Sequence, residues 1–158
     1  MQQLVIENRL QDLMLQEINI LRDILANLSQ EQQALLSHDV ERLQFIVQER
    51  LQFLEAYDKY DAKLLESTQE LADLEHKDLP SLETLSHDEI LEILQGLVSD
   101  DNLELRSRID QLRAIHQEIH NKNDITRYFL EVDHSAQRQL APQKKSKKIA
   151  LELMEPNP

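Results

Sequence analysis

Apolar residues recur at helical spacing through most of this chain. Met14, Leu21, Leu28 and Leu35 fall on one seven-residue row. Val40, Leu43, Val47, Leu54, Tyr57, Leu64, Thr68 and Leu71 follow steps of three and four, with Arg50 and Asp61 occupying the gaps. A third row runs Leu105, Ile109, Leu112, His116, Ile119, Asn123, Thr126 and Leu130. Steps of three and four hold side chains on one face of an α-helix. The pattern therefore predicts long helices over about 3–36, 40–74 and 101–140, and a short one over about 88–98 carrying Ile90, Leu91, Ile93, Leu94 and Leu97.

The interruptions agree with those limits. Ser37-His38-Asp39 breaks the first stripe, and Ser37 and Asp39 both have a short side-chain oxygen able to accept from an orphan helix amide. A tight turn there makes the first two helices an antiparallel hairpin, each arm roughly 50 Å long at ~1.5 Å per residue. Pro80 disfavours helix at Leu79. Ser86-His87-Asp88-Glu89 has the form of a capping box, Ser99-Asp100-Asp101-Asn102 is a second stop and restart, and Pro142 ends the last helix. The predicted fold is all-α: a long antiparallel helical hairpin with a short helix and a third long C-terminal helix, an elongated three- or four-helix bundle. Residues 1–140 form a single helical domain. Residues 141–158 form a mobile tail, in which Ile149, Leu151, Leu153 and Met154 suit a short amphipathic piece.

Composition narrows the chemistry. Of 158 residues, 41% are hydrophobic but only 4% aromatic, which suits helix–helix packing through Leu, Ile and Val. The formal net charge is −13, and it is uneven: −7 over residues 1–72, −9 over 73–104, +1 over 105–140 and +2 over 141–158. A chain with its acidity concentrated in the middle is not a general nucleic-acid binder, and Lys144, Lys145, Lys147 and Lys148 are too short a cluster to change that. Without cysteine there is neither a disulfide nor a thiolate metal site. No apolar run approaches the roughly 20 residues that span a bilayer, and the first residues do not read as a signal peptide, so the cytoplasm is the expected compartment. With Gly96 as the single glycine, there is no Gly-rich phosphate cradle or nucleophile elbow. Neither an enzyme nor a bound cofactor is expected.

Individual polar residues support the same view. His116, His120 and Asp124 are spaced i, i+4, i+8 and can in principle reach a zinc ion, but they lack the Glu that follows the first His in a zinc-protease helix; no metal is expected. Only one Glu-x-x-His pair, Glu131 and His134, is present, too few for a di-metal bundle. Glu17 stands out because it lies near the centre of the first apolar face. Folding the hairpin about Ser37 sets it near Tyr57, where the phenol or a group from a third helix can satisfy it. Phe45 points away from its helix's apolar face, and a single exposed Phe needs no explanation.

The last helix offers the candidate partner site. His116, Asn123 and Thr126 interrupt its apolar face, and Tyr128, Phe129 and Val132 add apolar area beside it. Either that half of the helix runs into water, or it is an incomplete surface awaiting a partner helix. On the second reading, Ile119, Asn123, Thr126, Phe129 and Leu130 form the partner-binding residues, with Asn123 setting register as a buried amide does in coiled coils.

Residues 21–43 carry a resemblance. Glu31, Ala34-Leu35 and Asp39 match the layout of the FlgN-type flagellar export chaperones, whose first helix ends in Leu-rich turns with a Glu and an Ala-Leu pair before an Asp opens the second. The family's last helix often has two Asn three apart; here Asn123 matches the second and His120 replaces the first. The glycine typical of the family's C-terminal end is missing. The resemblance covers the layout of about residues 4–140. It implies a cytoplasmic chaperone that binds the helical C-terminal region of unassembled hook-associated (hook–filament junction) proteins, mainly through its own C-terminal part. Such a chaperone prevents premature assembly and delivers the subunit to components of the type III export apparatus. The competing reading is a structural coiled-coil stalk or linker of a secretion apparatus, but the break at 99–102 and the third helix favour a bundle over a rod.

Overall fold

The computed structural model describes residues 1–132. The expected continuation of the last helix to Leu140 and the tail over 141–158 lie outside the described residues. The fold is an all-α bundle, as expected: α1 spans Gln2–Leu36, α2 Val40–Leu74, α3 His87–Leu97 and α4 Leu103–Val132, with a 3-10 turn at Leu82–Thr84 between α2 and α3.

The helix ends are closed by their own side chains and backbone. At the end of α1, His38 N–H donates to Leu35 O at 3.2 Å and Asp39 N–H to Ala34 O at 3.0 Å. The same pair of bonds ends α2, from His76 to Asp73 O and from Lys77 to Ala72 O. This is the Schellman arrangement, which needs a left-handed residue just past the helix. Here His38 (φ 54°) and His76 (φ 55°) take that conformation, one in which Gly carries no steric cost. Asp39 then opens α2, its Oδ1 accepting from Arg42 N–H at 3.1 Å. Ser86 caps α3 in a complete capping box with Glu89, and Asn102 Oδ1 caps α4 through Leu105 N–H at 3.1 Å.

The chain divides into two compact units. The first combines Met1–Asn19 with Tyr57–Ile115. Its buried apolar residues are Leu10, Met14 and Ile18 of α1, Leu64 and Leu71 of α2, Ile90, Leu91, Leu94 and Leu97 of α3, and Leu105, Ile109 and Leu112 of α4. Glu7 is also buried here. Its carboxylate accepts from Ser99 N–H and Ser99 Oγ, both at 3.0 Å, and so ties α1 to the α3–α4 connection.

The second unit combines Ile20–Ala56 with residues from His116 onward. Leu21, Ile24, Leu28 and Leu35 of α1 are buried, as are Leu43, Ile46 and Val47 of α2 and Ile119 of α4. Ala34, Leu35, Leu43 and Ile46 form a tight cluster on which Val40 and Leu130 pack. Leu54 of the α2 stripe is only half-buried. None of the described helices is long and apolar enough to cross a membrane.

Candidate functional site

Each unit contains a buried polar cluster where an apolar layer would otherwise sit, and the two are built from different chemistry. In the first unit, Glu17 of α1 is 2% exposed. Its Oε1 has no hydrogen-bond partner, and Asp61 of α2 is a neighbour. Burial, then the neighbouring Asp61 carboxyl group, push the Glu17 carboxyl well above the usual range. Asp61 is also raised by burial, with His87 and Glu17 acting the other way. Tyr57 is pushed up by burial and then by Glu17, Asp61 and Asp58. Its Oη shares a 3.2 Å hydrogen bond with His87 Nδ1, and the two rings meet edge-on with centroids 5.8 Å apart. Glu17 thus has both Tyr57 and Asp61 as neighbours, the first as the hairpin predicted.

In the second unit, Arg50 of α2 and Glu31 of α1 have side chains that are both 0% exposed, with Nη2 and Oε2 2.8 Å apart. The spacing is that of an ion pair, although the N–H is not aligned for a hydrogen bond. Arg50 Nε donates to Asn27 Oδ1 at 2.8 Å. Asn27 Nδ2 donates to Ile46 O at 2.9 Å and to Glu49 Oε1 at 3.1 Å. Opposite charges and a bridging amide thus fill this layer.

The α4 residues proposed from sequence as a partner surface lie mostly inside the second unit. Ile119, Asn123 and Thr126 are buried, and Leu130 packs on the Ala34–Leu35–Leu43–Ile46 cluster. Within the second unit, α1 and α2 cover this face. The Phe129 side chain lies outside the described residues. Thr126 Oγ1 accepts from Gln32 Nε2 at 3.4 Å, and the same amide donates to Lys122 O at 3.3 Å. Neither polar atom of the Asn123 side chain has a hydrogen-bond partner. The exposed apolar residues of this stretch are instead Ile125 and Tyr128, 47% and 59% exposed. His120 approaches Asp124 at 3.6 Å, and no group of three metal-ligating residues is found among the described residues. Phe45 is exposed, as expected.

Sequence reasoning missed Glu7, Asn27, His87 and the Glu31–Arg50 pair. Three of them had a signal. Glu7 continues the Met14–Leu21–Leu28 row one step back, and Asn27 and Glu31 fall between Ile24, Leu28 and Leu35 on the same face. His87 had none, because its place depends on how α3 packs against α2. The residues that carry the family resemblance all have architectural roles: Glu31 in the buried pair, Ala34 and Leu35 in the core cluster, and Asp39 as a cap. Searches of family models, of curated proteins and of solved structures give no match to this chain.

Proposed function

We propose that this chain is a cytoplasmic export chaperone of the kind it resembles. It binds the helical C-terminal region of an unassembled hook-associated protein, keeps that subunit from assembling early, and presents it to the type III export apparatus. The observation that carries this reading is the seating of α4 in the second unit. Asn123 is buried there with its amide unpartnered, and an unsatisfied buried polar group costs ~1–3 kcal/mol. The C-terminal half of α4 is thus held less tightly than an apolar helix of the same length would be. A partner helix with apolar anchors at i, i+3 or i+4, and i+7 replaces it on the α1–α2 face and covers Leu35, Leu43 and Ile46. The stalk alternative has no use for a poorly satisfied third helix.

Displacement has a distinctive signature. Asn123→Leu removes the unpaired amide, so it tightens α4, raises the melting temperature and weakens binding of a junction-protein C-terminal peptide about tenfold, or ~1.4 kcal/mol. Calorimetric titration of the full chain with that peptide measures this. Unchanged affinity for N123L, with loss of affinity in Ile125→Ala/Tyr128→Ala, would move the site to the outer face of α4. No binding by the unaltered chain would refute the chaperone reading.

A further inference from the structure

A guanidinium only donates hydrogen bonds, and that of Arg50 is wholly buried in the second unit. Its Nε is taken up by Asn27 Oδ1 and its Nη2 faces Glu31 Oε2, each at 2.8 Å. Its Nη1 has no hydrogen-bond partner among the described residues. Asn27 and Glu31 are one turn apart on α1, so the guanidinium spans that turn, level with Leu28. Asn123 of α4 lies in the same layer. Gln32 of α1 donates to Lys122 O and to Thr126 Oγ1, which sets Asn123, between those two residues, within a turn of Glu31; Leu130 then packs on Ala34 and Leu35 above. Asn123 is buried too, and neither of its polar atoms is bonded. One interior layer thus contains a cationic donor and a neutral acceptor that make no bond to each other. We infer that this layer selects the partner: the helix that takes the place of α4 on the α1–α2 face carries a glutamine where α4 carries Asn123, and its side-chain carbonyl accepts from Arg50 Nη1. The selection rests on the displacement of α4 proposed above.

The choice of residue follows from charge and reach. Leucine at that position avoids burying an idle amide but leaves Nη1 unbonded. Glutamate supplies an acceptor, yet Glu31 already opposes the Arg50 charge, so a second carboxylate buries a net negative charge, which an interior site penalises. Glutamine supplies a neutral acceptor and reaches one methylene beyond asparagine. A hydrogen bond from a charged donor is stronger than one between neutral groups, so glutamine gives the partner a contact that α4 lacks at the place where the two compete. Around it the partner follows the frame of α4. Ile119, Thr126 and Leu130 stand four before, three after and seven after Asn123, and the partner sets apolar anchors at those positions, the last over the Ala34–Leu35–Leu43–Ile46 cluster. A lone polar residue in an apolar stripe fixes register as well as identity.

Synthetic peptides with the sequence of residues 116–132, carrying Asn, Gln, Leu or Glu at position 123, serve as probes and are titrated into the full chain by fluorescence anisotropy. The Gln peptide binds most tightly, about tenfold ahead of the Leu peptide, and the Asn and Glu peptides trail both. Against the full chain with Glu31→Leu/Arg50→Met, which lacks both charges, the order reverses and the Leu peptide leads. Within the chain itself, Asn123→Gln raises the melting temperature, and the same change in the Glu31→Leu/Arg50→Met background does not. A Leu peptide that binds the unaltered chain as tightly as the Gln peptide would overturn the selection and leave the displacement of α4 standing, as would an unchanged melting temperature for Asn123→Gln. Failure of all four peptides to bind would overturn the displacement and the selection together.

Discussion

Helix α1 buries Glu17 in the first unit, beyond Glu7, and Glu31 in the second, and Glu17 and Glu31 are stabilised in opposite ways. Glu31 faces Arg50, a full opposite charge that is itself held by Asn27. Glu17 has Asp61, another acid, as its neighbour, and burial pushes both carboxyl groups above the usual range. Both positions interrupt an apolar stripe, and by spacing alone they are equivalent. What differs is the residue across the interface: Arg50 and Asp61 are the two polar residues standing in the gaps of the α2 row. A buried charge tolerates burial only when it is paired or neutralised, and this chain uses one solution in each unit. The ion pair ties register to a matched partner. The acid pair, both of whose carboxyl groups are pushed up, makes the stability of the first unit depend on pH, falling as pH rises through their raised range.

The largest effect that sharpens this contrast is expected at Arg50. Arg50→Met removes the guanidinium that faces buried Glu31 and should cost about 3–5 kcal/mol. The double variant Glu31→Leu/Arg50→Met should recover most of that loss, since apolar replacement of a whole buried pair is often neutral or stabilising. Chemical denaturation of the three variants measures both terms. A double variant as unstable as Arg50→Met would mean that the helices need the charges themselves.

Next come the apolar cores. Leu10 in the first unit and Leu28 in the second are both 0% exposed. Truncation of either to Ala should cost about 2–5 kcal/mol, with the two costs similar. Equal values locate the difference between the units in their polar groups. A Leu10→Ala cost far below that of Leu28→Ala would mean that the first unit is loosely packed throughout, and would weaken the account. Smaller still, Ser86→Ala removes the N-cap beside His87 and should cost about 1 kcal/mol. Exchange at α3 should rise more than exchange at α2; a uniform rise would show that α3 does not open on its own.

Much of the fold was legible because helix starts, stops and faces are local properties. The turn at Ser37–Asp39, the capping box at Ser86 and the restart at Asn102 all follow from side chains acting within a few residues. Glu17 beside Tyr57 was legible too, since a short turn fixes which parts of the two arms meet. The α4 face was not. Its three-and-four spacing is the same whether the face is open or covered, and Asn123 and Thr126 suggest water although they are buried. His38 and His76 also gave no warning that they adopt a conformation favouring glycine. The placement of His87 depends on tertiary packing, which no local pattern encodes.

The central claim, that Glu17 and Glu31 are held by opposite means, predicts opposite signs for one substitution. Glu and Gln have nearly the same helix propensity and size, so Glu17→Gln and Glu31→Gln differ mainly in what faces them. At neutral pH, Glu17→Gln should raise the melting temperature by about a few degrees, roughly what 1 kcal/mol confers on a domain of this size, because the neutral amide removes an acid whose ionisation burial and Asp61 oppose. Glu31→Gln should lower it, because Arg50 loses its counter-charge. Thermal melts of the two variants beside the unaltered chain decide the matter. A rise for Glu17→Gln with a fall for Glu31→Gln is the predicted result, and a similar fall for both would contradict the account.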